Sequence, residues 1–167
     1  MLLRGCRNGG LATIGVYGFT EETFLDALRE ADVRRLLDVR QRRGVRGSEY
    51  AWANAGRLQA ALARAGIDYR HHKELAPTTE LRQLQYREDD RLGVGKRSRA
   101  QLAPAYVERY TKEILDRADL APIVEEMPDD GVSALFCVER DPEACHRSLI
   151  ANRMAGEFGL PVTHLKP

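Results

Sequence analysis

The chain has 167 residues, 43% hydrophobic and 31% charged, which is the composition of one ordinary globular domain and excludes a disordered or fibrous protein. Twenty-six basic residues stand against 25 acidic ones for a net charge of +1, so bulk charge argues neither for nor against nucleic acid. Three cysteines make no disulfide framework, no apolar run approaches the ~20 residues that span a bilayer, and no secretory leader is read in Met1–Ala12. A cytoplasmic protein with reduced thiols and no membrane partner is therefore expected.

In chain order, residues 1–10 read as a flexible extension punctuated by Asn8-Gly9-Gly10. Leu11–Tyr17 is a short apolar run that predicts a first buried strand. Thr20 is a candidate N-cap, with Thr23 at the place where a full capping box wants Glu. Phe24, Leu25, Leu28 and Ala31 follow at helical spacing. Val33–Val39 predicts the second strand, and the loop Arg40–Arg46 then carries four arginines. A helix marked by Leu58, Leu62 and Ala65 ends at Gly66, and Ile67–His71 predicts the third strand.

The section from Thr79 to Ala118 reads as polar helix, interrupted over 92–98 and restarted near Pro104. A short helix is expected over Pro122–Glu126, then a turn at Pro128–Gly131. Val132–Val138 is near-continuously apolar, as fully buried parallel strands are. Asp141-Pro142 is expected to open a helix running through Phe158, with Gly159 as its stop and Pro161–Leu165 as the last strand. The alternation predicts a single α/β domain over 11–167, with three layers and a mostly parallel, Rossmann-like sheet flanked by helices.

Ligands of such sheets bind beyond the carboxyl ends of the strands. Asp38, Val39 and Arg40 should meet Cys137, Val138 and Glu139 there, with Cys145, His146 and Arg147 supplied by the first turns of the following helix. That helix start favours anions and lowers a cysteine's pKa, while Arg40 and Arg147 can hold an anion by charge-assisted hydrogen bonds. Each residue also has a plainer reading. Cys137 lies in an apolar strand and fits as a small hydrophobe, and Asp38 and Glu139 can simply pair with Arg40 and Arg147. Cys145 and His146, being adjacent, point about 100° apart on a helix and need not touch.

Cys137, Cys145 and His146 are suitable metal-ligand types. Their spacing matches no standard zinc motif and a fourth ligand is missing, so no metal is expected. Gly93–Ser98 suggests a phosphate loop only superficially, because Asp90 and Arg97 stand where the motif needs Gly and Ser or Thr. The arginines at 40, 42, 43 and 46, with Lys96, Arg97 and Arg99, can form a basic rim for nucleotide or nucleic acid, although solvated loop charge accounts for all but Arg40 as well. Trp52 and Tyr50 fit packing better than base stacking.

Several segments together are similar to one family. They are Thr13-Ile14-Gly15; Phe24 and Leu28; Leu37-Asp38-Val39-Arg40; Leu62 with Gly66-Ile67-Asp68-Tyr69; and Cys137-Val138-Glu139, Pro142 and Cys145-His146-Arg147. In this order, over nearly the whole chain, they resemble the DUF488 family, and the Cys-x-Glu … Cys-His-Arg ending is the most specific part. The resemblance implies a compact α/β domain with Asp38, Arg40, Cys137, Glu139, Cys145, His146 and Arg147 at its site. Two departures stand out: Gln41-Arg42-Arg43-Gly44 where the family commonly has a proline and a serine-arginine pair, and Leu75-Ala76-Pro77 where it tends to have Leu-Gly-Gly.

The expected function is an enzyme acting on a phosphorylated or nucleotide-like small molecule. Cys145, His146 and Glu139 are its candidate catalytic residues, and Arg147, Arg40, Asp38 and Cys137 bind or position the substrate. No cofactor or oligomeric state is assigned. The alternative is a nucleic-acid-binding or accessory module without catalysis.

Overall fold

The apolar runs at the centre of one sheet become strands because the sheet is covered on both faces there. In a computed structural model, which describes residues 9–167, β1 (Leu11–Ile14), β2 (Val33–Asp38), β3 (Asp68–His71), β4 (Val132–Phe136) and β5 (Val162–Leu165) form a five-stranded sheet. Its order is β3-β2-β4-β1-β5, and every neighbouring pair is parallel. The central β4 buries Ala134, Leu135 and Phe136 completely, as its apolar run requires. The four-residue edges β3 and β5 stay partly exposed, and such short edges limit unwanted strand pairing.

β1 ends earlier than its apolar run suggests. Val16 and Tyr17 leave the ladder, both donating their N–H groups to Val138 O (2.9 and 3.2 Å), and this draws the ends of β1 and β4 together. Gly15 permits the approach, since a Cβ there would lie 2.0 Å from Glu139 O.

Helices connect the strands: α1 (Glu21–Glu30), α2 (Ala55–Arg64), α3 (Thr79–Leu92), α4 (Pro104–Glu113), α5 (Ala121–Glu126) and α6 (His146–Phe158). Thr20 caps α1. Thr23 completes the capping box with its hydroxyl in place of a carboxylate, accepting from Thr20 N–H at 2.9 Å. Gly159, with φ 65°, ends α6 in the left-handed region that glycine adopts without cost. Beneath α1, Phe24 packs on Trp52 and Phe136 with centroids 4.8 and 5.5 Å apart, an aromatic core that is a large apolar contribution to stability. Trp52 is thus a core residue, as its plainer reading has it.

The topology sets where a ligand can sit. β2 continues outward to β3, whereas β4 returns over β1 to β5, so the outgoing chains part between β2 and β4. With right-handed crossovers α1 and α6 take opposite faces, giving a three-layer, Rossmann-like α/β domain. The crevice at this switch point lies beyond the paired ends Asp38 and Phe136. Of the extension expected over residues 1–10, residues 1–8 lie outside the described residues. Gly9 is buried, and Gly10 O accepts from Ser133 N–H at 3.2 Å.

Among the described residues, no helix is long and apolar enough to cross a membrane.

Candidate functional site

The site is made by the way α6 begins. Asp141-Pro142 starts not the helix but a single 3-10 turn, Pro142–Ala144, closed by Ala144 N–H to Asp141 O and Cys145 N–H to Pro142 O, both 3.1 Å. The chain then becomes extended at Cys145 (φ −139°, ψ 145°), the N-cap residue, and α6 starts at His146. The expected helix start at Asp141 is corrected accordingly. With Cys145 outside the helix, the 100° divergence of adjacent helical side chains no longer applies, and its Sγ lies 3.7 Å from His146 Nδ1.

Cys137, just past the end of β4, brings a second sulfur to the same nitrogen at 3.9 Å. All three donor atoms fall within 4.8 Å of one another. His146 Nε2 lies 2.9 Å from Val39 O, across the β2/β4 crevice. A carbonyl can only accept, so Nε2 carries a proton, and Nδ1 faces the two sulfurs. Cys137, Cys145 and His146 are all buried. His71, the last residue of β3, and the adjacent His72 lie elsewhere: His71 Nε2 meets Arg40 O and His72 Nδ1 meets Glu74.

The electrostatics separate the two thiols. Burial pushes Cys145 up, but hydrogen bonding with Cys137 and the nearby His146 and Arg147 charges outweigh it and hold Cys145 well below the ordinary thiol value. Cys137, hydrogen-bonded to Cys145 and buried, is pushed well above that value. For His146, burial disfavours the cation, yet Cys145 and the Val39 carbonyl leave it above the usual imidazole value.

Glu139 follows one residue after Val138 and is 7% exposed. Its Oε1 lies 3.4 Å from Arg99 Nη1, while its Oε2 is buried without a hydrogen-bond partner. Burial first, and then the neighbouring Cys145, raise its carboxyl above the ordinary range. Arg99 belongs mainly to Asp89, with its Nε 2.9 and 3.0 Å from the two carboxylate oxygens, and it also donates to Ala144 O at 3.1 Å. Gln85 donates to Asp89 at 2.9 Å and accepts from Ala103 N–H at 2.8 Å. The sequence reading missed this network. Its signal was the placing of Gln85 and Asp89 at i+4 and i+8 from Leu81, on the buried stripe of α3, where polar residues must find partners.

Asp38, Arg40 and Arg147 do not join the reactive cluster. Arg40 meets both oxygens of Asp38 through Nε and Nη2 (3.0 and 2.9 Å), donates to Ala53 O (2.8 Å) and stacks 4.6 Å over Phe136. Tyr69 OH also donates to Asp38 at 2.5 Å. Asp38 therefore has the plainer role, a buried ion-pair partner. Arg147 is fully buried, with Nη1 on Glu139 O (2.7 Å) and Nη2 on Arg140 O (3.2 Å). It fastens the loop that positions Glu139 and does not line the cleft, because backbone carbonyls occupy both of its terminal nitrogens.

The cluster forms the floor of a cleft between the strand ends and α3, with Tyr86, Tyr106, Arg42, Arg82 and Lys96 among its walls. It is continuous with a groove that adds Tyr17, Arg46 and Arg97. Lys96 enters from the turn Gly95–Ser98, closed by Ser98 N–H to Gly95 O at 3.0 Å. Burial works against its charge, but Glu139 and Cys137 hold it above the usual lysine value. Arg82 donates to Gln41 and Tyr86 (2.8 and 3.0 Å). To the described residues, neither Arg42 nor Lys96 makes a hydrogen bond, so their charges remain available. Of the basic rim read from sequence, residues 42, 46, 96 and 97 thus converge on the cleft and its groove, while Arg99 is buried in its own ion pair. Arg82 is an addition.

No curated protein and no solved structure matches the chain. The DUF488 family, a domain of unknown function, matches over residues 20–154, a span that includes the whole cluster. This protein is a member of the DUF488 family.

Proposed function

We propose that this protein is an enzyme acting on a phosphorylated or nucleotide-like substrate, whose anionic group is held at the cleft mouth while its reacting centre meets Cys145, His146 and Glu139 at the floor. One observation carries this reading: a buried carboxylate oxygen without a partner, Glu139 Oε2, in the same cleft as two sulfurs, an imidazole and uncommitted cations. Buried polar atoms are nearly always satisfied, and an exception in a cleft marks a group reserved for a ligand or a proton. Arg42 and Lys96 bind the anion by charge-assisted hydrogen bonds. Glu139 takes or gives the proton.

The test uses thermal shift with inorganic phosphate, pyrophosphate and nucleoside phosphates, followed by a turnover screen on the compounds that bind. Phosphate-bearing ligands are expected to stabilise the protein, and the double variant Arg42→Ala/Lys96→Ala to lose most of that response. An unchanged response would sink the anion role. A response that appears only with polynucleotides and collapses with salt would instead mark the nucleic-acid-binding alternative.

A further inference from the structure

The floor of the cleft poses an accounting problem of its own. Two sulfurs approach one imidazole nitrogen, and Nδ1 can offer them only a single lone pair when neutral or a single proton when charged. A cation among the three atoms resolves this, because each sulfur and the nitrogen then contributes one lone pair to a common centre.

We infer that Cys137, Cys145 and His146 hold a zinc ion, with its fourth position open to the cleft beside Glu139. The inference deepens the functional reading above by naming a cofactor, and its reaction class rests on that reading. With zinc–sulfur bonds of about 2.3 Å and zinc–nitrogen bonds of about 2.0–2.1 Å, tetrahedral ligands stand roughly 3.5–3.8 Å apart. The two sulfurs lie 3.9 and 3.7 Å from Nδ1 and all three donor atoms within 4.8 Å of one another, so closing on a metal takes shifts of no more than about 1 Å. Two thiolates and an imidazole form a soft donor set that suits zinc over magnesium or calcium.

The surroundings are those of a metal ligand. His146 Nε2 donates to Val39 O at 2.9 Å, and a second-shell bond of this kind fixes the tautomer and ring orientation of ligating histidines. The residue just past β4 supplies one sulfur, and the N-cap and first residue of α6 supply the other two donors. Val39, after β2, holds the ring from across the switch point. Among the described residues, no fourth His, Cys, Asp or Glu joins the group, and three protein ligands with one open position are the arrangement of catalytic rather than structural zinc.

Glu139 supplies the independent observation. It is 7% exposed, its Oε2 has no partner, and it lines the same cleft. A zinc held by His and Cys, served by a glutamate that is not a ligand, is the division of labour of hydrolytic zinc chemistry. Water in the fourth position gives a proton to Glu139 Oε2, and the hydroxide oxygen bonds to the electrophilic centre of the substrate. The bond to the leaving group breaks, and the leaving group takes the proton from Glu139. One water is consumed and nothing is oxidised or reduced. The spacing argument against a metal held only along the chain, since the fold closes the distances that the spacing leaves open.

The experiment is metal analysis of the full chain in a Cys6→Ser background, which removes the one other thiol. Purified protein is equilibrated with zinc or cobalt and passed through a desalting column. One metal per chain is expected, with a cobalt form showing a thiolate-to-metal charge-transfer band and the intense visible absorption of tetrahedral cobalt. Zinc should also protect both remaining cysteines from alkylation, and Cys137→Ser and Cys145→Ser should each lose metal while keeping the circular dichroism of the parent. Parent protein that retains no metal and alkylates at the same rate with and without zinc overturns the inference, as does retention undiminished in both serine variants. The phosphate response of metal-free protein is read separately. If it persists without any metal binding, only the zinc site falls. If metal binds and no phosphate-bearing ligand stabilises either form, only the substrate reading falls.

Discussion

The carboxyl ends of β2 and β4 lie side by side, and each bears a carboxylate close to an arginine, yet they do opposite things. At the end of β2, Asp38 and Arg40 meet through two hydrogen bonds, and Tyr69 and Ala53 O take further ones. Little capacity is left for a ligand. Beyond β4, Glu139 shares one oxygen with Arg99 at 3.4 Å and leaves the other idle, while the sulfurs of Cys137 and Cys145 crowd a single nitrogen. Both ends lie within the span that the family matches and carry a carboxylate and an arginine, so the presence of charged residue types does not separate structural from reactive positions. The count of satisfied and unsatisfied atoms does.

The comparison breaks most readily at Asp38. Asp38→Asn leaves the fully buried Arg40 charge without its counter-ion and should cost about 3–5 kcal/mol of stability, measured by urea unfolding. A loss below about 1 kcal/mol, the scale of exposed pairs, would show that the β2 pair is not structural. Glu139→Gln should do the reverse. It keeps the shape of the side chain, changes stability little, and lowers turnover by about 10²–10⁴-fold if Glu139 moves the proton. Unfolding of Glu139→Gln with full activity in the surviving fraction would exchange the roles of the two strand ends.

Gly15→Ala probes the link between them. Its Cβ would lie 2.0 Å from Glu139 O and 3.3 Å from Arg147 Nη2, so the Glu139 loop must move. A stability loss of about 1–3 kcal/mol, typical of overpacking, should come with a fall in turnover. A stable variant of normal activity would show that the β1/β4 approach does not position Glu139.

A finer effect is the acid limb of stability. Burial pushes Asp89 up, but its hydrogen bonds from Arg99 and Gln85 outweigh that and leave it below the ordinary carboxylate value. A lowered folded value means that its contribution is complete above the unfolded pKa of about 3.9 and is lost as pH falls through the folded value. Urea midpoints should therefore drop more steeply below about pH 4 in the parent than in Asp89→Asn; parallel curves would remove Asp89 from the acid response. The smallest effect belongs to Arg42→Ala and Lys96→Ala. The exposed Arg42→Ala should shift stability by no more than about 0.5 kcal/mol, as surface changes do, while each variant weakens phosphate-induced stabilisation.

Much of this was legible in the residues. The unbroken apolar run Val132–Val138 led to the central strand, Thr20 to the cap of α1, Gly159 to the end of α6, and the Cys-x-Glu … Cys-His-Arg ending to the right corner of the fold. The start of α6 was not legible, because Asp141-Pro142 serves equally well for a 3-10 turn and for a helix. That difference decides whether Cys145 can reach His146. Arg147 reads as an anion binder because its partners, the Glu139 and Arg140 carbonyls, are backbone atoms that leave no residue-type signal, whereas the pairing of Arg40 with Asp38 was open to a reading by residue type. Lys96 was visible only as one charge in a loop.

By itself, then, the sequence determined the strands and helices, through the period of apolar residues and the chemistry of caps and turns, and it determined which residue types arrive at the strand ends. Only the tertiary structure decided which of them are spent and which are free. Satisfaction of a buried charge depends on distances of a few tenths of an ångström between atoms far apart in the chain, such as His146 Nε2 and Val39 O, whose partnership spans 107 positions.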